Sequence, residues 1–146
     1  ATFFVLENKI KDNTIAEVLD VEILNKLNVS EVENKILSFL ASNSLGIADI
    51  DAVVLGYNGD VDSDLYYKNL SNATFAKTPQ VYYKHLSGEY DTASAFGLWV
   101  GTKIIQTQNI PDIVKLNALD KQSYKTILLY NQRNGIEHSF TLISSC

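Results

Sequence analysis

TILLYNQRNGIEHSFTLI, residues 126–143, constrains the fold more than any other stretch of the chain. Two runs of β-branched, aromatic and aliphatic residues flank Asn134-Gly135. That dipeptide supplies the positive φ that both central positions of a type I′ turn require. The chain therefore closes on an antiparallel hairpin, and a sheet must exist upstream to receive it.

The upstream pattern supplies that sheet. ATFFVLEN (1–8) and TIAEVLDVEIL (14–24) read as strands joined by a turn at KIKDN. Ser30 reads as a helix cap with Glu33 as its capping-box partner. Val32, Ile36, Leu37, Phe39 and Leu40 then carry the helical period as far as Asn43–Gly46. AVVL (52–55) reads as a buried strand opening into a polar loop, and 64–75 as an amphipathic helix. Residues 78–86 form a strand entered through Pro79. Residues 91–107 form a helix apolar nearly all round, which predicts burial on more than one side. The order β-β-α-β-α-β-α-β-β implies an α/β fold: a mixed, five-stranded sheet with helices packed on it, in one domain over 1–146.

Composition narrows the class. Hydrophobic residues make up 46% of 146, enough for a sizeable core, yet no apolar run reaches the ~18 residues of a membrane span. No basic-then-apolar leader is visible, and no membrane partner is expected. The 12 Lys and Arg are scattered against 17 Asp and Glu, for a net charge of −5, which argues against a nucleic-acid partner. The single Cys146 excludes an intrachain disulfide and a cysteine metal cluster, and fits a cytoplasmic setting. No metal or other cofactor is expected. The chain has no Met and opens directly on strand-type sequence, so it reads as beginning mid-fold.

Two places hold candidate chemistry. The first is the loop Gly56-Tyr57-Asn58-Gly59-Asp60, because ligands bind beyond the carboxyl ends of strands in open α/β sheets. NGDVDSD in the same loop looks like a calcium loop, but it lacks the sixth-position Gly and the twelfth-position Glu. The second is Lys84 with Glu89, either a structural salt bridge or an ammonium and a carboxylate set around a substrate carbonyl. His138 reads as a solvated or cross-strand hairpin residue. Neither it nor His85 has a nearby Cys, and Ser87 has no evident base. The sequons at Asn28, Asn69 and Asn72 mean little without a secretory leader.

Taken in order, these pieces resemble the C-terminal half of a β-ketoacyl-acyl-carrier-protein synthase, of the thiolase fold. ATFFVLEN resembles the strand that opens that half, and SLGIADIDAVVLGYNGD resembles its "Gi…dIdyv.aHGT…D". VYYKHLSGEYDTASAFGLW resembles "s.K…tGH..gAaGa", QNIP the "iPp" that follows the long helix, and 126–143 the closing "N.FGfGG.Na.lil" hairpin. The resemblance implies an acyl carrier protein and an acyl or malonyl thioester as partners. It places the family's first active-site histidine at Asn58 (or Tyr57), the second at Glu89 and the lysine at Lys84. Of the gate loop only Asn131 is kept, and the half that carries the nucleophilic cysteine is absent.

Each departure has a consequence. Glu89 puts an anion where a neutral donor should face a developing oxyanion. Asn58 donates a hydrogen bond but cannot take a proton. The resemblance therefore implies a protein of fatty-acid, polyketide or aryl-polyene-type biosynthesis that does not condense by itself, with a chain-length-factor-like role. It also implies that Ala93, Ser94, Ala95 and Gly97 let the 91–107 helix meet a second layer, supplied by a homodimer, an N-terminal half or a partner synthase. The competing readings are a divergent acyltransferase in which Lys84 and Glu89 do acid–base work, and a binding module without chemistry.

Overall fold

The computed structural model describes residues 2–146. Five strands form one mixed sheet: β1 (Ala16–Asn25), β2 (Ala52–Leu55), β3 (Gln80–Tyr82), β4 (Thr126–Arg133) and β5 (Glu137–Ser145), in the order β1-β5-β4-β2-β3. β2 pairs in parallel with β3 and β4, and β5 runs antiparallel to both β4 and β1. Four helices pack on it: α1 (Val29–Ser42), α2 (Val61–Asn69), α3 (Lys84–Ser87) and α4 (Ala93–Thr107). The α/β class and the mixed five-stranded sheet are as the sequence implied.

Helices lie on both faces, and AVVL shows why that strand has no polar alternation. Val53 and Leu55 face α1 and α2 within a core that includes Ile36, Leu40, Tyr67, Tyr130 and Phe140. Ala52 and Val54 face α4 in a second core with Val81, Ile104, Ile127 and Ile143. A strand covered on both sides needs apolar residues at every position. Burying each such Ile or Val contributes roughly 1.5–3 kcal/mol.

The closing hairpin forms as expected. Asn134 and Gly135 both have positive φ (52° and 65°), and Ile136 N–H donates to Arg133 O at 2.9 Å. A Cβ on Gly135 would run into the Tyr66 hydroxyl, so glycine is needed there twice over.

The local differences have physical reasons. Residues 2–8 form no strand (Ala1 lies outside the described residues), and the fold begins with one strand where two were expected. Phe3, Val5 and Leu6 are more than 80% exposed: a segment apolar on both faces needs cover on both, and the edge of β1 offers none. α1 is capped by Asn28 rather than Ser30, because Glu31 reaches back to accept from the Asn28 N–H at 2.7 Å. α2 starts at Val61, before the expected 64, since Asp60 accepts from Ser63 N–H at 2.8 Å and caps it there. It then runs into a single π turn over Leu70–Thr74. β3 stops at Tyr82, and the strand expected to reach residue 86 gives way to the one-turn α3, closed by Gly88 N–H on Lys84 O at 2.7 Å.

α4 corrects the reading of its small residues. Ala93, Gly97 and Gly101 face the chain's own sheet. A Cβ at Gly97 would stand 2.8 Å from the Tyr83 ring, and one at Gly101 would stand 3.2 Å from Ile143. What comes close is therefore β4, β5 and the Tyr83 ring just past β3, and the small side chains let the helix axis settle onto them. Ser94 and Ala95 are half-buried at the helix flank. The outer surface carries Phe96 stacked on Trp99 at 5.5 Å, with Trp99 39% exposed.

Candidate functional site

β2, β3 and β4 are parallel, so their carboxyl ends share one edge of the sheet, where three segments meet: Gly56–Asn58, Tyr83–Lys84 and Asn131. Gly56 is the hub. A Cβ there would lie 2.6 Å from Asn131 Oδ1, 2.6 Å from the Tyr67 hydroxyl and 3.3 Å from Lys84 Nζ. Glycine at this position is what lets three polar groups from three elements converge.

The loop after β2 is fixed from below. Asp64, on the first turn of α2, accepts from Asn58 N–H at 3.1 Å and Gly59 N–H at 3.2 Å. Asn58 Oδ1 accepts from Asp60 N–H at 2.9 Å, which turns the amide nitrogen outward, where it donates to Glu89 Oε2 at 3.0 Å. Asp60 caps α2, and its carboxyl is held below its ordinary value by the Ser63 N–H. Asp64 thus serves the loop and Asp60 the helix cap.

Lys84 is the most constrained member. Its side chain is 1% exposed, and its ammonium donates to Glu89 Oε2 at 2.6 Å. Burial lowers the Lys84 pKa, and the Glu89 carboxylate opposes that shift. Tyr83 and Tyr67 are both pushed upward, chiefly by burial, so each stays protonated at neutral pH. Tyr83 donates to Asn131 Oδ1 at 3.2 Å, and the Tyr67 oxygen accepts from Gln132 N–H at 2.9 Å.

Asn58, Lys84, Glu89 and Asn131, chosen from the sequence, are thus brought to one place. Tyr57 is not. Its hydroxyl lies 3.0 Å from Ser71 Oγ and its ring packs on Tyr67 at 5.0 Å, behind the loop. Neither histidine joins the site. His85 stacks on Tyr82 and places Nε2 2.7 Å from Ile113 O. His138, expected to be solvated or cross-strand, is cross-strand: it is 1% exposed, between Tyr66 and Tyr130, and its Nδ1 lies 3.0 Å from the Tyr130 hydroxyl of the neighbouring β4. Cys146 follows β5, whose end lies beside Lys125 at the opposite edge of the sheet.

The sequence reading included Gly56 in its candidate loop but missed Asp64, Tyr67 and Tyr83 as members of the site. One signal existed: Val81 and Tyr83 keep the same-face spacing of a buried strand, so the tyrosine faces α4. Beside the site, a groove of about 250 Å3 runs between α4 and the edge strand β1. Ile23, Leu98 and Leu129 line it, and it shares Tyr83 and Asn131 with the polar cluster.

The arrangement can hold an anion or a polarised oxygen on an ammonium and an amide. It presents no cysteine or histidine within reach, and the Ser87 hydroxyl is turned to Gly88 O at 3.2 Å. Among the described residues no helix is long and apolar enough to cross a membrane. No family model, curated protein or solved structure matches the chain.

Proposed function

We propose that the chain is the C-terminal half of a β-ketoacyl synthase-like protein that engages an acyl carrier protein and its thioester without carrying out condensation, as a chain-length-factor-like partner in cytoplasmic fatty-acid, polyketide or aryl-polyene-type biosynthesis. The observation that carries the reading is the meeting of Asn58, Lys84, Glu89 and Asn131 at the carboxyl ends of three parallel strands. These are positions that the family resemblance assigns to one active site, although they come from three separate stretches of the sequence.

The chemistry of the cluster argues for the non-condensing form. The carboxylate of Glu89 sits on the two donors that would otherwise face a developing oxyanion, and it repels that charge. The partner layer expected from the resemblance has a surface to meet. Val18, Val21 and Ile23 of β1 and Trp99 of α4 are 39–74% exposed on the α4 side of the sheet. This surface is where an N-terminal half, a second copy or a partner synthase would sit.

The test is to mix the protein with malonyl- and acyl-loaded carrier protein, reading intact masses and the amide signals of residues 56–59 and 131. The expected result is no acyl gain on the chain, no loss of carbon dioxide from the malonyl thioester, and shifted signals at the loop. Acyl transfer by the chain alone, read as a mass gain on the chain or on an added acceptor with loss of acyl from the carrier, would establish the acyltransferase reading instead. Unmoved signals would end the carrier-protein assignment.

A further inference from the structure

Glu89 is held the way a protein holds a ligand. Its Oε2 takes two hydrogen bonds, from Lys84 Nζ at 2.6 Å and from Asn58 Nδ2 at 3.0 Å. The donors are fixed and the acceptor is not. Lys84 is buried at the start of α3, and Asn58 is locked by the Asp60 N–H acting on its other amide atom. Glu89, by contrast, stands on the short connection between α3 and α4, with its side chain 39% exposed. The preceding Gly88 has φ +78° and open space where a Cβ would be, so nothing packs the connection down there.

A buried ammonium needs an anion, and nothing in these contacts requires that anion to be covalently attached. We propose that Lys84 and Asn58 form a carboxylate-binding cradle that Glu89 fills in the free chain, and from which a small aliphatic carboxylate displaces it. The adjoining groove gives the ligand its class. Asn131 and Tyr83 border both the cradle and the groove, so a carboxylate seated on Lys84 directs its tail towards Leu98, Leu129 and Ile23. The inference uses only this geometry and goes beyond the synthase reading: its ligand is a free aliphatic carboxylate that needs no carrier protein and no thioester.

The experiment compares Glu89→Ala, which empties the cradle, with Lys84→Met/Glu89→Ala, which also removes its charge. Melting temperature is followed against sodium acetate, with sodium chloride at equal ionic strength as the reference. The expected result is a saturable rise for Glu89→Ala of about 3–6 °C at tenfold above half-saturation, a much smaller rise for the parent chain, and none for the double variant. Hexanoate should half-saturate below acetate, because its tail enters the groove. An equal response to chloride, an equal rise in the double variant, or no rise in Glu89→Ala would overturn the cradle. Equal half-saturation by acetate and hexanoate would overturn the assignment of the tail. If Glu89→Ala does not fold, acetate titrated into the parent chain reads the same competition. The Asn58 side-chain amide resonances must then shift, and their failure to shift would refute displacement.

Discussion

The Lys84–Glu89 pair makes an asymmetric prediction about stability. The two charges are 2.6 Å apart, which at an effective dielectric of about 20 corresponds to a gross attraction of roughly 6 kcal/mol. Most of that is consumed in keeping the ammonium out of water, since the Lys84 side chain is 1% exposed. Removing Glu89 leaves a buried charge with no counter-ion. Breaking a fully buried pair in this way costs about 3–5 kcal/mol, and the partial exposure of Glu89 lets some water reach the ammonium. Glu89→Ala should therefore lose about 2–3 kcal/mol. Lys84→Met removes the charge and keeps the stem, leaving a carboxylate that is already part-solvated, so its effect should stay within about 1 kcal/mol.

Urea unfolding followed by circular dichroism reads both values. In melting temperature, the loss for Glu89→Ala should be about 5–10 °C for a chain of this size. The double variant closes the cycle: once Lys84 is Met, truncating Glu89 should cost almost nothing, for a coupling of about 2–3 kcal/mol. The pH dependence adds a signed check. Burial holds the folded-state pKa of Lys84 below its ordinary value, so between the two values the unfolded chain binds more protons and stability rises with pH. Without Glu89 the folded value falls further, so the deficit of Glu89→Ala should narrow as pH rises from neutral towards 10. A Lys84→Met loss equal to or greater than that of Glu89→Ala would refute the reasoning. It would show that the ammonium is a net source of stability and not a charge kept at a cost.

Three further perturbations probe the frame around the site. Gly97→Ala gains about 1 kcal/mol of helix propensity but sets a methyl 2.8 Å from a Tyr83 ring that is 2% exposed and tied to Asn131. The net should be a loss of about 1 kcal/mol in urea unfolding, with a shifted Asn131 amide signal. Gly135→Ala places a side chain at φ +65° against the Tyr66 hydroxyl and should cost about 2 kcal/mol or more by the same assay. Burial lowers the His138 pKa, so from about pH 6.5 downward the unfolded chain takes up a proton that the fold resists, and stability falls as pH falls through that window. His138→Gln should flatten this slope between pH 5 and about 7 in melting curves, and an unchanged slope would refute the assignment.

The parts of the fold that were legible from sequence are those with a local cause. Asn134-Gly135 encodes its turn through φ, AVVL encodes two-sided burial through the lack of any polar residue, and the 93–107 helix follows from its period and apolar content. The failures share a different cause: they depended on what a segment meets. Strand-type sequence at 2–8 does not become a strand without cover, and Tyr57 turns towards Ser71 because Tyr67 packs behind it. In the site, the sequence offered Lys84 and Glu89 as neighbours five residues apart. It offered no direct sign that Asn131 would reach Gly56 across the sheet, because that contact depends on β4 lying next to β2.

The small residues of α4 connect these two levels. Gly97 has no Cβ because the Tyr83 ring occupies that space; the ring in turn carries a hydroxyl to Asn131, and Asn131 borders the point above Gly56 where Lys84 and Tyr67 converge. A side chain at residue 97 would lift the helix or move the ring, and either change would alter the polar cluster on the same side of the sheet. The stripe therefore sets the depth at which α4 rests on the sheet, and through Tyr83 it sets the geometry of the cluster. Larger residues on the half-exposed outer side, at Ser94 or Ala95, meet only the groove. Ser94→Val should accordingly leave the Lys84–Glu89 coupling unchanged while narrowing the groove, so that hexanoate loses affinity and acetate does not. Equal losses for both ligands would mean that the groove and the cradle do not form one site.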